Sequence, residues 1–167
     1  FPCSKGEKSD CLAMTEPGAG SDLRGMKMTA VRDGSDFVLN GTKHFISHAD
    51  IAGFAICFMA SGEEETPRGK KKLITAFFVD KGTKGFTVRD GYRNVSHRGY
   101  TNAVLEFDDC RIPASQVLGE PHKGFEVANQ WLGATRLQVA STCLGRAERA
   151  LGHSISYAAE RKQFGQQ

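Results

Sequence analysis

Residues 26–47 read MKMTAVRDGSDFVLNGTKHFIS. Met26, Met28 and Ala30 alternate with Lys27, Thr29 and Val31. After Asp33-Gly34, Phe37 and Leu39 alternate again, and Asn40-Gly41 leads into a third run, Lys43 to Ser47. Successive side chains on a strand point to opposite faces, so this alternation marks half-buried strands. Asp-Gly and Asn-Gly accept the positive φ that tight hairpins need. The stretch predicts strand, turn, strand, turn, strand.

The same pattern extends outward. Cys11 to Met14 is a short apolar strand that runs into the loop MTEPGAGSD, residues 14–22. Phe54 to Met59, Leu73 to Val79, Phe86 to Arg89 and Ala103 to Phe107 are further β-rich runs. At least six short strands at close spacing predict an antiparallel barrel or sandwich, ending at Pro113. The pattern then changes. Phe125, Ala128, Leu132, Val139, Cys143, Ala147, Ala150, Ile155 and Ala158 fall near helical spacing. As one helix, residues 124–161 would span roughly 57 Å at 1.5 Å per residue. A small barrel cannot cover that length, and Trp131, Leu137, Leu144 and Leu151 widen the apolar stripe. Its natural partners are helices of a bundle that these residues do not supply, which predicts a longer parent chain, an oligomer, or both.

Bulk properties bound the function. The chain has 167 residues, 40% hydrophobic and 25% charged, which suits a globular protein of one domain or a small domain plus part of another. A net charge of +3 with scattered cations argues against nucleic acid. The one basic run, Arg68 to Lys72, follows Glu63-Glu64-Glu65 and reads as a solvated loop. No stretch approaches the ~20 apolar residues of a membrane helix. The N-terminus lacks a signal-peptide core and begins without Met, so a piece of a longer or processed chain is expected. The 5 cysteines form no C-x-x-C pair and read as reduced structural thiols. Of the N-x-S/T triplets at Asn40 and Asn94, the first reads better as a turn.

Three motifs bear on chemistry. In the 14–22 loop, Pro17 restrains Glu16, and Gly18 and Gly20 remove side-chain bulk. Exposed amides in such a loop can form an anion-binding concavity. Gly18-Ala19-Gly20 does not continue as G-x-G-x-x-G, because residue 23 is Leu, so a dinucleotide loop is excluded. In Phe45-Ile46-Ser47 a strand would put the ring and the hydroxyl on one face, able to stack on and hydrogen-bond a flat ligand. Arg161-Lys-Gln-Phe164-Gly places a cation at a helix C-terminus. Taken singly, each reads as ordinary turn, core or cap.

Taken together, in this order and spacing, they resemble the acyl-CoA dehydrogenase family of flavoproteins. The resemblance runs on through His97-Arg98-Gly99, Val104 to Pro113, Val117-Leu-Gly119, Gly124-Phe125 and Thr135-Arg136, over essentially the whole chain. It implies an α+β chain: a mainly antiparallel β barrel or sandwich middle domain, residues 1–121, then residues 122–167 as the first part of a C-terminal four-helix bundle. It implies FAD as cofactor, with Leu12, Met14 and Thr15 against the flavin ring and Phe45, Ile46 and Ser47 on its other side. Phe45 stands where Trp is common and Ser47 where Thr is common.

Ser21 and Arg136 would contact the CoA part of the substrate. Arg161 would reach the FAD pyrophosphate of a neighbouring subunit, with Phe164 near its adenosine half. The implied reaction is α,β-desaturation of an acyl-CoA, with electron-transfer flavoprotein as acceptor, in a homo-oligomer that is a dimer of dimers. The implied setting is the bacterial cytoplasm or the mitochondrial matrix. The family's usual base lies downstream, and its minority position is Thr135 here, so no base is identified; Glu16 reads as structural. Alternatives within the fold are an acyl-CoA oxidase, a nitroalkane oxidase or a flavin monooxygenase. A truncated, non-catalytic binding or assembly module is the reading from another class.

Overall fold

Strand propensity and the alternation of burial organise the first part of the chain. The computed structural model describes residues 2–67, 69–99 and 101–167. Phe1 and Arg68, the latter part of the basic run, lie outside the described residues. Among the described residues eight strands form: β1 (Asp10–Ala13), β2 (Thr29–Asp33), β3 (Asp36–Ser47), β4 (Phe54–Thr66), β5 (Gly69–Asp80), β6 (Phe86–Tyr92), β7 (Asn102–Pro113) and β8 (Val117–Leu118). They make one curled, open sheet in the order β6-β7-β3-β2-β4-β5-β8, with β1 added alongside β4. Most pairings are antiparallel, whereas β1–β4 and the Thr29–Ala60 contact of β2 with β4 are parallel.

The inward positions build the core. Leu39, Cys57, Phe77, Leu105 and Ile112 are all essentially inaccessible, and Phe37 meets Phe77 edge-on at 5.1 Å between ring centres. Each such side chain contributes on the order of 1.5–3 kcal/mol by leaving water. Asp33-Gly34 forms the expected turn, with Gly34 at φ 61°.

Asn40-Gly41 does not turn. β3 continues through it as a bulge, opposite Asp108-Asp109 of β7. Gly41 has φ 129°, and a Cβ there would lie 2.3 Å from Met28 Cγ. The Asn40 amide completes the irregular ladder: its Nδ2 donates to Asp109 Oδ1 at 3.0 Å, and its Oδ1 accepts from Asp109 N at 2.9 Å. The acidic and basic runs also differ from expectation. They are solvated, but they form a β-ribbon rather than a loop, pairing Glu63 with Lys72, Glu64 with Lys71 and Glu65 with Lys70. Opposite charges directly across a ladder favour this extension.

The helix α1 runs from Gly124 to Glu160. Its entry is fastened to the sheet. His122 N donates to Thr75 Oγ1 at 2.7 Å, and His122 Nδ1 lies 3.0 Å from Ser61 Oγ. Gly124 sits so close to β5 that a Cβ would approach Ile74 O to 3.0 Å. By internal contacts the chain divides into Phe1–Val127, which holds the sheet, and Ala128–Gln167, which holds most of α1 and the terminal turns. In the second unit Leu137, Leu144 and Leu151 are exposed. No helix among the described residues is long and apolar enough to cross a membrane.

Candidate functional site

The loop after β1 is closed on itself. Glu16 N donates to Ala19 O at 2.9 Å and Ala19 N to Glu16 O at 3.2 Å, so Pro17 and Gly18 form the tip. Neither Gly18 nor Gly20 has positive φ, and a Cβ on either would meet nothing within 4 Å. The freedom to adopt positive φ is therefore not why glycine stands there. What both positions have is open space beside the backbone. Asp22 ends the loop by capping a short 3-10 turn, its Oδ1 accepting from Arg24 N at 3.1 Å.

A buried ion pair ties this loop to β3. Lys43 and Glu16 are 0% and 4% exposed, with Nζ 2.9 Å from Glu16 Oε1. The same ammonium donates to Met14 O at 2.9 Å. The Glu16 carboxylate also accepts from Lys27 N at 2.5 Å and from Met28 N at 3.2 Å. Burial pulls the Lys43 ammonium down from the usual lysine range, and its hydrogen bond and charge interaction with Glu16 oppose that shift. A carboxylate engaged by three donors is a structural acid, in line with the sequence-based expectation for Glu16.

One residue further along, His44 N donates to Thr15 O at 3.0 Å. The segments 12–15 and 43–47 thus lie side by side. Leu12 and Thr15 are half-buried, Met14 and Ile46 are buried, and Ser47 is half-buried with its hydroxyl donating to Asn102 Oδ1 at 3.4 Å. Thr15 Oγ1 makes no hydrogen bond among the described residues.

Phe45 is not on a regular strand as expected. It has φ 56° at a register shift between Lys43 and Ile46, so simple alternation with Ser47 is broken. Its ring is 45% exposed and stacks on Tyr92 at 4.0 Å. His44 Nδ1 lies 3.0 Å from the Tyr92 hydroxyl.

The structure therefore brings together Leu12, Met14, Thr15, Phe45, Ile46 and Ser47. Ser21 is exposed further along the same loop. The other expected residues belong to the second unit. Arg136 and Arg161 are exposed there, Phe164 is exposed at φ 52°, and Thr135 Oγ1 donates back to Trp131 O at 3.3 Å. Sequence reasoning missed Lys43, Tyr92 and Asn102. A lysine within the Lys43–Ser47 strand run, with an acid in a nearby loop, was the only available signal for the first; nothing marked the other two.

Residues 11–110 match the acyl-CoA dehydrogenase middle domain and residues 122–167 match the acyl-CoA dehydrogenase C-terminal domain. The chain belongs to the acyl-CoA dehydrogenase family. It is 40% identical over 164 residues to the human mitochondrial short-chain specific acyl-CoA dehydrogenase, covering 98% of this chain and 39% of that protein. It is 39% identical to the NADH-dependent acryloyl-CoA reductase of Anaerotignum propionicum, covering 97% of this chain and 41% of that protein. An acyl-CoA dehydrogenase of Bacillus anthracis solved in complex with FAD superposes with a TM-score of 0.83 at 31% identity, over 99% of this chain and 28% of that one. The chain thus spans about two-fifths of the length of these curated relatives.

Proposed function

We propose that residues 1–121 are the middle domain, and 122–167 the first part of the C-terminal bundle, of an FAD-dependent acyl-CoA dehydrogenase acting by α,β-desaturation of an acyl-CoA thioester. The observation that carries this is the lateral joining of Met14-Thr15 to Lys43-His44 by two hydrogen bonds, at 2.9 and 3.0 Å. The joined segments carry an apolar residue, Met14, an aromatic ring, Phe45, and two hydroxyls, Thr15 and Ser47, and the loop after β1 has open room at Gly18 and Gly20. That set suits a flat heterocycle with apolar faces and a polar rim.

FAD, when bound, supplies the hydride acceptor. The chain's own residues hold and orient. Leu12, Met14 and Phe45 pack against the ring, Ile46 backs it, and the Thr15 and Ser47 hydroxyls bond its polar edge. Ser21 and Arg136 bind the CoA portion. Arg161 offers a planar fork suited to a pyrophosphate, with Phe164 alongside, and both serve a neighbouring subunit's FAD in a dimer of dimers. The α-proton goes to a carboxylate outside these residues, because Thr135 cannot take it. Electron-transfer flavoprotein is the proposed acceptor, and the mitochondrial matrix or the bacterial cytoplasm the proposed compartment. Other helices of the bundle are the proposed cover for the exposed leucines of α1.

Anaerobic titration of the intact purified protein with a short acyl-CoA tests this. Loss of the visible flavin band on adding substrate is expected. A protein that carries no flavin after incubation with FAD, or whose flavin stays oxidised, would contradict it. The 39% identity to an acryloyl-CoA reductase favours one second reading, the same pocket run towards reduction. That reading predicts an enoyl-CoA-dependent reoxidation of the flavin after NADH has bleached it.

A further inference from the structure

Lys43 stands out as a charged group buried completely inside the sheet-bearing unit. Replacing buried ion pairs with apolar residues is often neutral or stabilising, so such a pair is poorly explained by stability alone. What Lys43 does is geometric. Its ammonium and the backbone N–H of its neighbour His44 hold two consecutive carbonyls, Met14 O at 2.9 Å and Thr15 O at 3.0 Å. The plane of the peptide between Met14 and Thr15 is thereby fixed from β3. The ammonium's second contact, Glu16 Oε1 at 2.9 Å, passes the constraint on to Lys27 N and Met28 N ahead of β2. Just beyond Lys43, β3 leaves regular geometry at Phe45.

We propose that Lys43 is a positioning residue for the cofactor: it locks the Met14-Thr15 segment to the Phe45–Ser47 segment, so that the two walls of the flavin site keep one spacing and the Thr15 hydroxyl one direction. This rests on the flavin reading above. Lys43 itself touches neither cofactor nor substrate. Glu16 neutralises it and carries the loop's turn.

The test compares the intact wild-type protein with K43M and with E16Q/K43M, each incubated with FAD. Methionine keeps the unbranched length of lysine without the charge. In the double variant the carbonyl oxygen of the introduced glutamine still accepts from the Lys27 and Met28 amides. The Lys43 bonds to Met14 O and Glu16 are then both lost, and no lone buried charge is left behind. K43M is expected to lower Tm and release FAD. E16Q/K43M is expected to regain Tm. Its FAD Kd should stay raised about tenfold, as for one lost charge-assisted bond, and the absorption band of its residual flavin should be shifted. Return of both Tm and wild-type flavin affinity and spectrum in the double variant would overturn the proposal, leaving a purely structural pair. So would failure of both variants to fold, which would make the pair a folding requirement. A wild-type protein that takes up no FAD would instead refute the flavin reading itself.

Discussion

At the scale of single residues, the bulge in β3 shows what a dipeptide can and cannot say. Asn-Gly reads as a hairpin turn, and its glycine does take positive φ. Whether that φ makes a turn or a bulge depends on the partner strand. Here Asp109 lies 69 residues away, and Asn40 bonds to it in both directions. No local pattern carries that information. Gly41→Ala is expected to destabilise the intact protein by about 1–3 kcal/mol, since it combines left-handed strain with a clash against Met28. Chemical denaturation measures this, and an unchanged midpoint would show that Met28 moves aside freely. The loop glycines contrast with Gly41. Nothing in the chain itself needs Gly18 or Gly20, whereas Thr15 and Ser47 stand on two segments that the fold lays side by side.

At the scale of elements, strands with clean alternation were legible because burial on one face imposes period two. Phe37 and Leu39, either side of half-buried Val38 on β3, are examples, whereas β4 and β5 are buried on both faces at 57–59 and 74–77. Helix α1 was legible for the matching reason, its spacing predicting 124–161 against the observed Gly124–Glu160. The charged ends of β4 and β5 were not, because exposed residues carry no burial pattern; only cross-strand pairing of Glu63–Glu65 with Lys70–Lys72 extends them.

The strands also place three thiols inward. Burial pushes Cys11 and Cys110 up to about 11 and Cys57 further still, above an ordinary value of 9.0. A raised thiol pKa favours the fold fully below pH 9.0, and that contribution is lost as pH rises through about 11, where the native thiols ionise as well. Since the thiolate is the nucleophile, these three cysteines are expected to resist alkylation at a pH of about 8 until denaturant is added. Mass spectrometry of the alkylated protein checks this, and native modification of Cys57 would show that the sheet opens more readily than its packing indicates.

At the scale of the whole molecule, the sheet and α1 make different kinds of statement. The sheet encloses its own core and draws six of the expected cofactor residues together. Arg136, Arg161 and Phe164 belong to a separately described unit, so their proposed roles depend on the rest of the bundle and on a neighbouring subunit. Lys43 was hidden from sequence because its partners Met14 and Glu16 are 29 and 27 residues away. The family resemblance singled out the segments 12–15 and 45–47, and the geometry shows what joins them: the bonds of Lys43 and His44 to Met14 O and Thr15 O.

The central claim is that the paired segments 12–15 and 45–47 wall a flavin. The structure of the intact protein determined with FAD tests it most directly. The expected result is an isoalloxazine ring lying between these segments, with the Thr15 and Ser47 hydroxyls within hydrogen-bond distance of its polar edge. A ring bound elsewhere, with Thr15 and Ser47 facing solvent or protein alone, would contradict it.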